Sequence, residues 1–462
     1  MRTLLRLAII LVLGIHAPLC TGQEVRPATS VAPAGAGAET AAMATQVRAE
    51  FLHAWNAYKQ YAWGHDELKP LSHGYRDWYG VPLLMTPVDA LDTLILMGLT
   101  DEADKTRELI VHDLSFDKDI EVKNFEITIR LLGGLLSSYQ LTGDQRLLNL
   151  ATDLGNRLLP TFNLPTGMPY MYVNLRTGKT RGTESNPAEI GTLLLEFGTL
   201  SKLTGNPIFF DKAKRALVEL YNRRSKIGLV GSTINVESGA WTDPTSHISG
   251  GIDSYYEYLL KSSILFDDKD CDRMWKSSVA ALNRYLADTS HGGLWYSQVD
   301  MNTGKRVSTR YGALDAFFPA VLARSGDLDR ARRLQESSYK VWTTFHIEPE
   351  EMDYSNFKII HAGYPLRPEI MESAYYLSFY THDTRYLEMA STFLAGLVRY
   401  CKTDAGYASL NSVVAMEKAD RMESFFLAET LKYLYLTFAP RQTVDLSKVV
   451  FNTEAHPIRK AW

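Results

Sequence analysis

Beyond about residue 45, apolar side chains return every three or four positions almost to the end of the chain, which is the spacing of helix faces rather than strands. The pattern predicts helices near 46–62, 87–98, 103–113, 124–141, 145–159, 187–203, 207–224, 251–265, 268–286, 313–325, 327–343, 367–381, 384–400 and 421–437. These form seven pairs, joined alternately by short turns and longer loops. The short turns repeat one theme: Thr142-Gly143-Asp144, Thr204-Gly205-Asn206, Ser325-Gly326-Asp327 and Thr381-His382-Asp383. Each reads as a helix C-cap followed by the N-cap of the next helix. The longer loops carry Gly167-Met168-Pro169-Tyr170, Gly292-Gly293-Leu294-Trp295-Tyr296 and Gly406-Tyr407-Ala408, where small β-hairpins are expected.

A helical hairpin repeated roughly every fifty to sixty residues, with no break in composition, predicts one all-α domain over residues 46–462. The expected architecture is a closed (α/α) barrel, an inner ring of helices with an outer ring packed on it. An open α-solenoid is the alternative on pattern alone.

The residues ahead of the helices change the picture of where the protein works. Arg2 and Arg6 precede an apolar run from Leu7 to Ile15, followed by Pro18, and residues 1–22 read as an export signal. The run falls short of the roughly 20 apolar residues that span a bilayer. Residues 23–45, rich in Ala, Pro, Gly and Thr, read as a flexible leader. After the signal, Cys271 and Cys401 are the remaining cysteines, too few for a disulfide framework, and no Asn-x-Ser/Thr sequon occurs. Export without these features fits a bacterial periplasmic or secreted protein. A net charge of -4 leaves no basic footprint for nucleic acid. The 25 Tyr and 8 Trp suit sugar stacking and a large core equally.

Chemistry enters with the acids that open alternate helices in apolar surroundings: Asp89 and Asp92, Glu126, Glu189, Asp253, Glu369 and Glu372, Glu423 and Glu429. If alternate helices form the inner ring with one sense, these acids gather at one mouth. First-turn acids also cap helices and meet the positive dipole end, which explains one or two positions without any further role. A full set among Phe, Ile, Leu and Tyr is harder to explain that way, because burying carboxylates is costly. Two carboxyls can flank a glycosidic bond, one protonating the leaving oxygen and one activating water. Several can instead hold a hard cation such as calcium. Arg130 and Arg367 lie close in sequence to Glu126 and Glu369, able to tune them, to hold sugar hydroxyls, or only to balance charge. There is no His-x-x-x-His or cysteine cluster for zinc, no P-loop, no dinucleotide fingerprint and no Gly-x-Ser-x-Gly elbow. Gly133-Gly134 sits inside a helical pattern, where it permits close packing.

Several long stretches resemble the class I α-mannosidases of glycoside hydrolase family 47: Val88-Asp-Ala-Leu-Asp-Thr-Leu, the run from Phe125 to Leu136, Asp253-Ser-Tyr-Tyr-Glu-Tyr, Leu366-Arg-Pro-Glu-Ile-Met-Glu-Ser, Met422-Glu-Ser-Phe-Phe-Leu-Ala-Glu-Thr and Phe451-Asn-Thr-Glu-Ala-His-Pro. The resemblance runs from about Phe51 to Pro457. It implies an (α/α)7 barrel and calcium-dependent hydrolysis, with inversion, of terminal α-1,2-linked mannose in mannose-containing oligosaccharides. Carried over by motif, Glu126 is the expected acid, Glu369 the base and Asp253 a third catalytic acid. Thr453 is the expected calcium ligand. Arg130, Glu189, Glu257, Arg367, Glu372, Phe425, Glu429 and Glu454 are expected around the sugar or the metal's waters. The chain is expected to act as a monomer. It departs from the family pattern at Gly312-Ala-Leu-Asp-Ala-Phe317, where Ala313 replaces a histidine and Ala316 a cysteine, and at Gly251, where eukaryotic relatives often carry Arg or Leu. A mannose-glycan-binding protein without turnover is the alternative on the same barrel.

Overall fold

The computed structural model describes residues 36–462, so the expected signal and most of the leader lie outside the described residues. Within Thr40–Trp462, a single compact unit, seven helices are buried nearly all round: Met85–Leu96, 124–142, 187–204, Asp253–Phe266, 313–325, Glu369–Thr381 and 426–438. Every residue of 85–94 and of 187–201 is buried, as befits helices surrounded by others. Six of the partner helices follow directly in sequence, and Ala36–Tyr61 is the seventh. These bury one stripe only. Gln145–Leu158, for example, buries Leu147, Leu148, Ala151, Leu154, Gly155 and Leu158. The inner helices pack in chain order, and the last returns against Met85–Leu96 to close the ring. This is an α/α barrel of seven pairs.

The capping theme holds in detail. Gly143, Gly205 and Gly326 take the left-handed conformation with φ of 74°, 73° and 94°, and His382 does so with φ 58°. Asp144, Asn206 and Asp327 then accept backbone N–H bonds as N-caps. Asp267-Asp268 makes a fifth such turn, with φ 53° at Asp267 and Asp268 accepting from the Cys271 N–H at 2.8 Å. Cys271 and Cys401 are both free and buried.

Each outer helix is joined to the next inner helix by a loop carrying short antiparallel strands, so these loops and the inner N-termini share one end of the barrel. Ala287–Asp288 pairs with Trp295–Tyr296 and Lys402–Thr403 with Gly406–Tyr407, at two of the expected hairpins. The third, 167–170, is instead a turn leading into Tyr172–Asn174, the middle strand of a three-stranded sheet.

Three features differ from the sequence expectation. The first helix begins at Ala36 rather than 46, because Ala38, Ala41, Ala42 and Ala44 are strong helix formers and Glu39 sits in its first turn. Two inner helices contain π-helical turns, at Thr128–Leu132 and Phe426–Thr430. The chain also ends in an unforeseen hairpin, Val449–Phe451 paired with Pro457–Arg459, which packs against inner helices 124–142 and Asp253–Phe266.

Candidate active site

The inner N-termini surround a cavity of about 310 Å³ lined by Glu126, Arg130, Glu189, Asp253, Arg367, Glu369, Phe425, Glu429, Thr453 and Glu454. Its floor holds a second chamber of about 40 Å³, which adds Glu257 and Glu372 and shares Asp253, Glu369, Glu429 and Thr453. All the expected site residues therefore meet, with Glu257 and Glu372 in the deeper chamber only. The other acids do not reach the cavity. Asp89 and Asp92 are fully buried in an ion network beneath it, and Glu423 pairs with Arg421. Helix-start position alone does not aim a side chain at the axis: Asp89 and Asp92 face His456, and Glu423 faces Arg421.

Glu369 and Asp253 carry raised pKa values. Burial pushes Glu369 up to about 7, against the opposing charge of Arg367. Its Oε2 is buried and accepts no hydrogen bond, leaving it free for an incoming proton donor. Burial likewise raises Asp253 to about 7, although the Ser254 N–H donates to its Oδ1 at 2.8 Å. Glu126 sits two residues before the π-helical turn. Arg130, within that turn, donates from Nε to Glu126 Oε2 at 3.1 Å and from Nη1 to Glu454. Arg367 is held in turn by Glu350, with Nε at 3.1 Å from Oε2. The two guanidiniums flank the Phe425 ring, at 5.6 and 5.9 Å from its centroid.

The two chambers together are strongly acidic. Burial raises Glu372 and Glu454 to about 8 and holds Glu429 well above the usual carboxylate range, where Glu454, Glu369 and Glu372 add repulsion. Around the two chambers eight carboxyls face four cations, Lys123, Arg130, Lys261 and Arg367. The surplus of oxygen donors and negative charge fits a hard divalent cation. Among the described residues no three His, Cys, Asp or Glu form a ready-made metal cage. Thr453, at the tip of the C-terminal hairpin, lines both chambers.

Four important cations escaped the sequence reading. Lys123 pairs with Glu189 at 2.6 Å, and Lys261 pairs with Glu257 one turn away and lies 3.7 Å from Glu372. The i,i+4 spacing of Glu257 and Lys261 was a usable signal. Lys432 and His456 gave none, since their partner Asp92 is more than 300 positions distant (364 for His456).

A family model described as glycosyl hydrolase family 47 matches residues 50–460. The chain belongs to this family. Alpha-mannosidase I MNS5 of Arabidopsis thaliana is 38% identical over 447 residues, covering 90% of this chain and 77% of that one. The ER degradation-enhancing alpha-mannosidase-like protein 2 of Mus musculus is 37% identical over 464 residues, covering 93% and 80%. Among solved structures, the alpha-1,2-mannosidase from Trichoderma reesei superposes with a TM-score of 0.84 at 29% identity, covering 91% of this chain and 99% of that one. Family 47 membership thus joins the barrel to a glycosidase lineage.

Proposed function

We propose that this family 47 chain is an exo-acting, inverting α-1,2-mannosidase that needs calcium. The observation that carries the reading is Glu369, a carboxyl with a pKa near 7 and an unpartnered oxygen, sharing one cavity with the Arg130-bound Glu126. Glu369 takes the proton of the attacking water. Glu126 supplies a proton to the leaving oxygen, and Asp253 shapes the charge between them. Glu189, Glu257, Glu372, Glu429 and Glu454 hold sugar hydroxyls, and Phe425 packs on the ring.

Exo action is part of the proposal, on the C-terminal hairpin that packs on the inner helices and sets Thr453 and Glu454 in the cavity wall. Calcium, bound at Thr453, would supply positive charge to the acidic chamber and hold sugar hydroxyls. Export is part of the proposal, on the charge and apolar pattern of residues 2–15.

Proton NMR of the full chain with an α-1,2-mannobiose substrate tests it. Early release of β-mannose that stops on chelation is expected. Sugar binding without hydrolysis would overturn the enzyme reading and favour the glycan-binding one.

A further inference from the structure

Beneath the cavity lies a buried ion network that the catalytic reading leaves unused, and His456 stands at its centre. The ring is fully buried. Its Nδ1 lies 2.7 Å from Asp92 Oδ2 and its Nε2 3.3 Å from Asp89 Oδ1. A carboxylate only accepts, so a ring placed between two of them donates from both nitrogens and is a cation.

The surrounding groups come from every neighbouring element. Lys432 donates to the other oxygen of Asp92, at 2.7 Å, and to the Ala455 carbonyl at 2.6 Å. Ser137 donates to Asp92 at 2.9 Å, and Ser424 to Asp89. Glu196 completes the set beside Asn452. The fit is tight. A Cβ on Gly134 would lie 3.2 Å from the His456 ring, and one on Gly133 3.0 Å from it and 2.6 Å from Asn452.

Asp89 is the link to the reaction. Its Oδ2 lies 3.6 Å from Arg130 Nη1, the guanidinium that also holds Glu126 and Glu454. Arg130 is therefore shared among three carboxyl groups, and His456 is the nearer cation to the one that is fully buried. Without that cation, Asp89 would be a buried carboxylate with Ser424 and Arg130 alone. An uncompensated buried charge costs more than a partly solvated one, and the Glu126 side chain is 22% exposed. Arg130 would then turn to Asp89 and give up Glu126.

We propose that the His456 imidazolium is a positioning residue for the acid side of the reaction: it neutralises Asp89 and so leaves Arg130 free to orient Glu126 and Glu454. This rests on the assignment of Glu126 above.

Full-length His456→Gln is expected to lose about thirtyfold or more in kcat with KM held within about threefold, while its far-UV circular dichroism stays native. Adding Asp89→Asn removes the charge that draws Arg130 away, and is expected to restore about tenfold of the loss. A structural role predicts that the two losses add, and either that result or a kcat within about threefold of the parent overturns the proposal. A crystal structure of His456→Gln should show Arg130 moved from Glu126 to Asp89, and an undisturbed Arg130 also overturns it.

If the variant does not fold, histidine-selective nitrogen-15 NMR on the unmodified chain decides. Both ring nitrogens of His456 should be protonated at neutral pH, and a neutral ring removes the clamp. A parent chain that never hydrolyses the substrate sinks the mannosidase reading instead, and with it the catalytic role of the clamp, while the moved or unmoved Arg130 still decides the charge argument.

Discussion

At the scale of single residues, the site depends on which carboxyl keeps a free oxygen. Glu369 and Asp253 are both raised to about 7 by burial; the Ser254 N–H and hydroxyl both donate to Asp253 Oδ1 and tie that carboxyl to its own helix, whereas the buried Glu369 Oε2 has no partner at all. Glu369→Gln should therefore keep sugar binding and lose about three orders of magnitude or more in kcat. Isothermal titration with a disaccharide, alongside turnover, checks it; near-parental turnover would remove Glu369 as the base. The same values set the pH dependence. A base must be ionised to work, so kcat/KM should fall as pH drops through about 7, where burial has placed Glu369. A pH–rate profile flat down to pH 5 contradicts this. Glu126, Glu369 and Asp253 were legible because acids at the start of apolar helices are conspicuous. His456 and Lys432 were not, since charge pairing across hundreds of positions leaves no local pattern.

At the scale of elements, the helices and their caps could be read because each is written locally, in a 3.6-residue period or a Thr-Gly-Asp turn. The π-helical turns at Thr128–Leu132 and Phe426–Thr430 could not, although they carry Arg130 and Glu429. One widened turn leaves no period in the sequence, and such turns gather at functional sites. The strands of the C-terminal hairpin are three residues each, and their burial comes from the barrel rather than from their own alternation. Gly133-Gly134 ties these unread elements together, because the helix bearing the first π-helical turn must let the hairpin pass. A Cβ on Gly134 would stand 2.8 Å from the Val88 carbonyl and 2.9 Å from its side chain. Gly134→Ala should therefore destabilise the fold by about 1–3 kcal/mol, the usual cost of overpacking, despite the better helix propensity of alanine. Chemical denaturation measures it, and an unchanged or higher midpoint would show that Val88 gives way freely.

At the scale of the whole molecule, the barrel gathers more negative charge at its floor than its own cations answer, and this sets how pH and calcium act on stability. Glu372 and Glu454 are raised from 4.5 to about 8, by burial first. Folded-state values above the unfolded ones mean that the native form holds protons the unfolded chain has released. Their contribution is full below about 4.5 and is lost as pH rises through about 8. His456, raised to about 9 by Asp92 and Asp89 against the opposing effect of burial, acts in the same direction and is lost last. Chelated protein should thus melt several degrees lower at pH 8.5 than at pH 6. Calcium answers the same carboxylates with its own charge, so saturating calcium should raise the melting temperature most at pH 8.5 and flatten its pH dependence. Thr453→Ala, which removes the hydroxyl at the hairpin tip, should weaken calcium binding about tenfold or more and diminish that rescue. Scanning calorimetry at the two pH values, with chelator and then with calcium, separates the possibilities. Equal calcium shifts at both would mean that the ion binds away from the acidic floor, and an undiminished shift in Thr453→Ala would remove the hairpin tip as its seat.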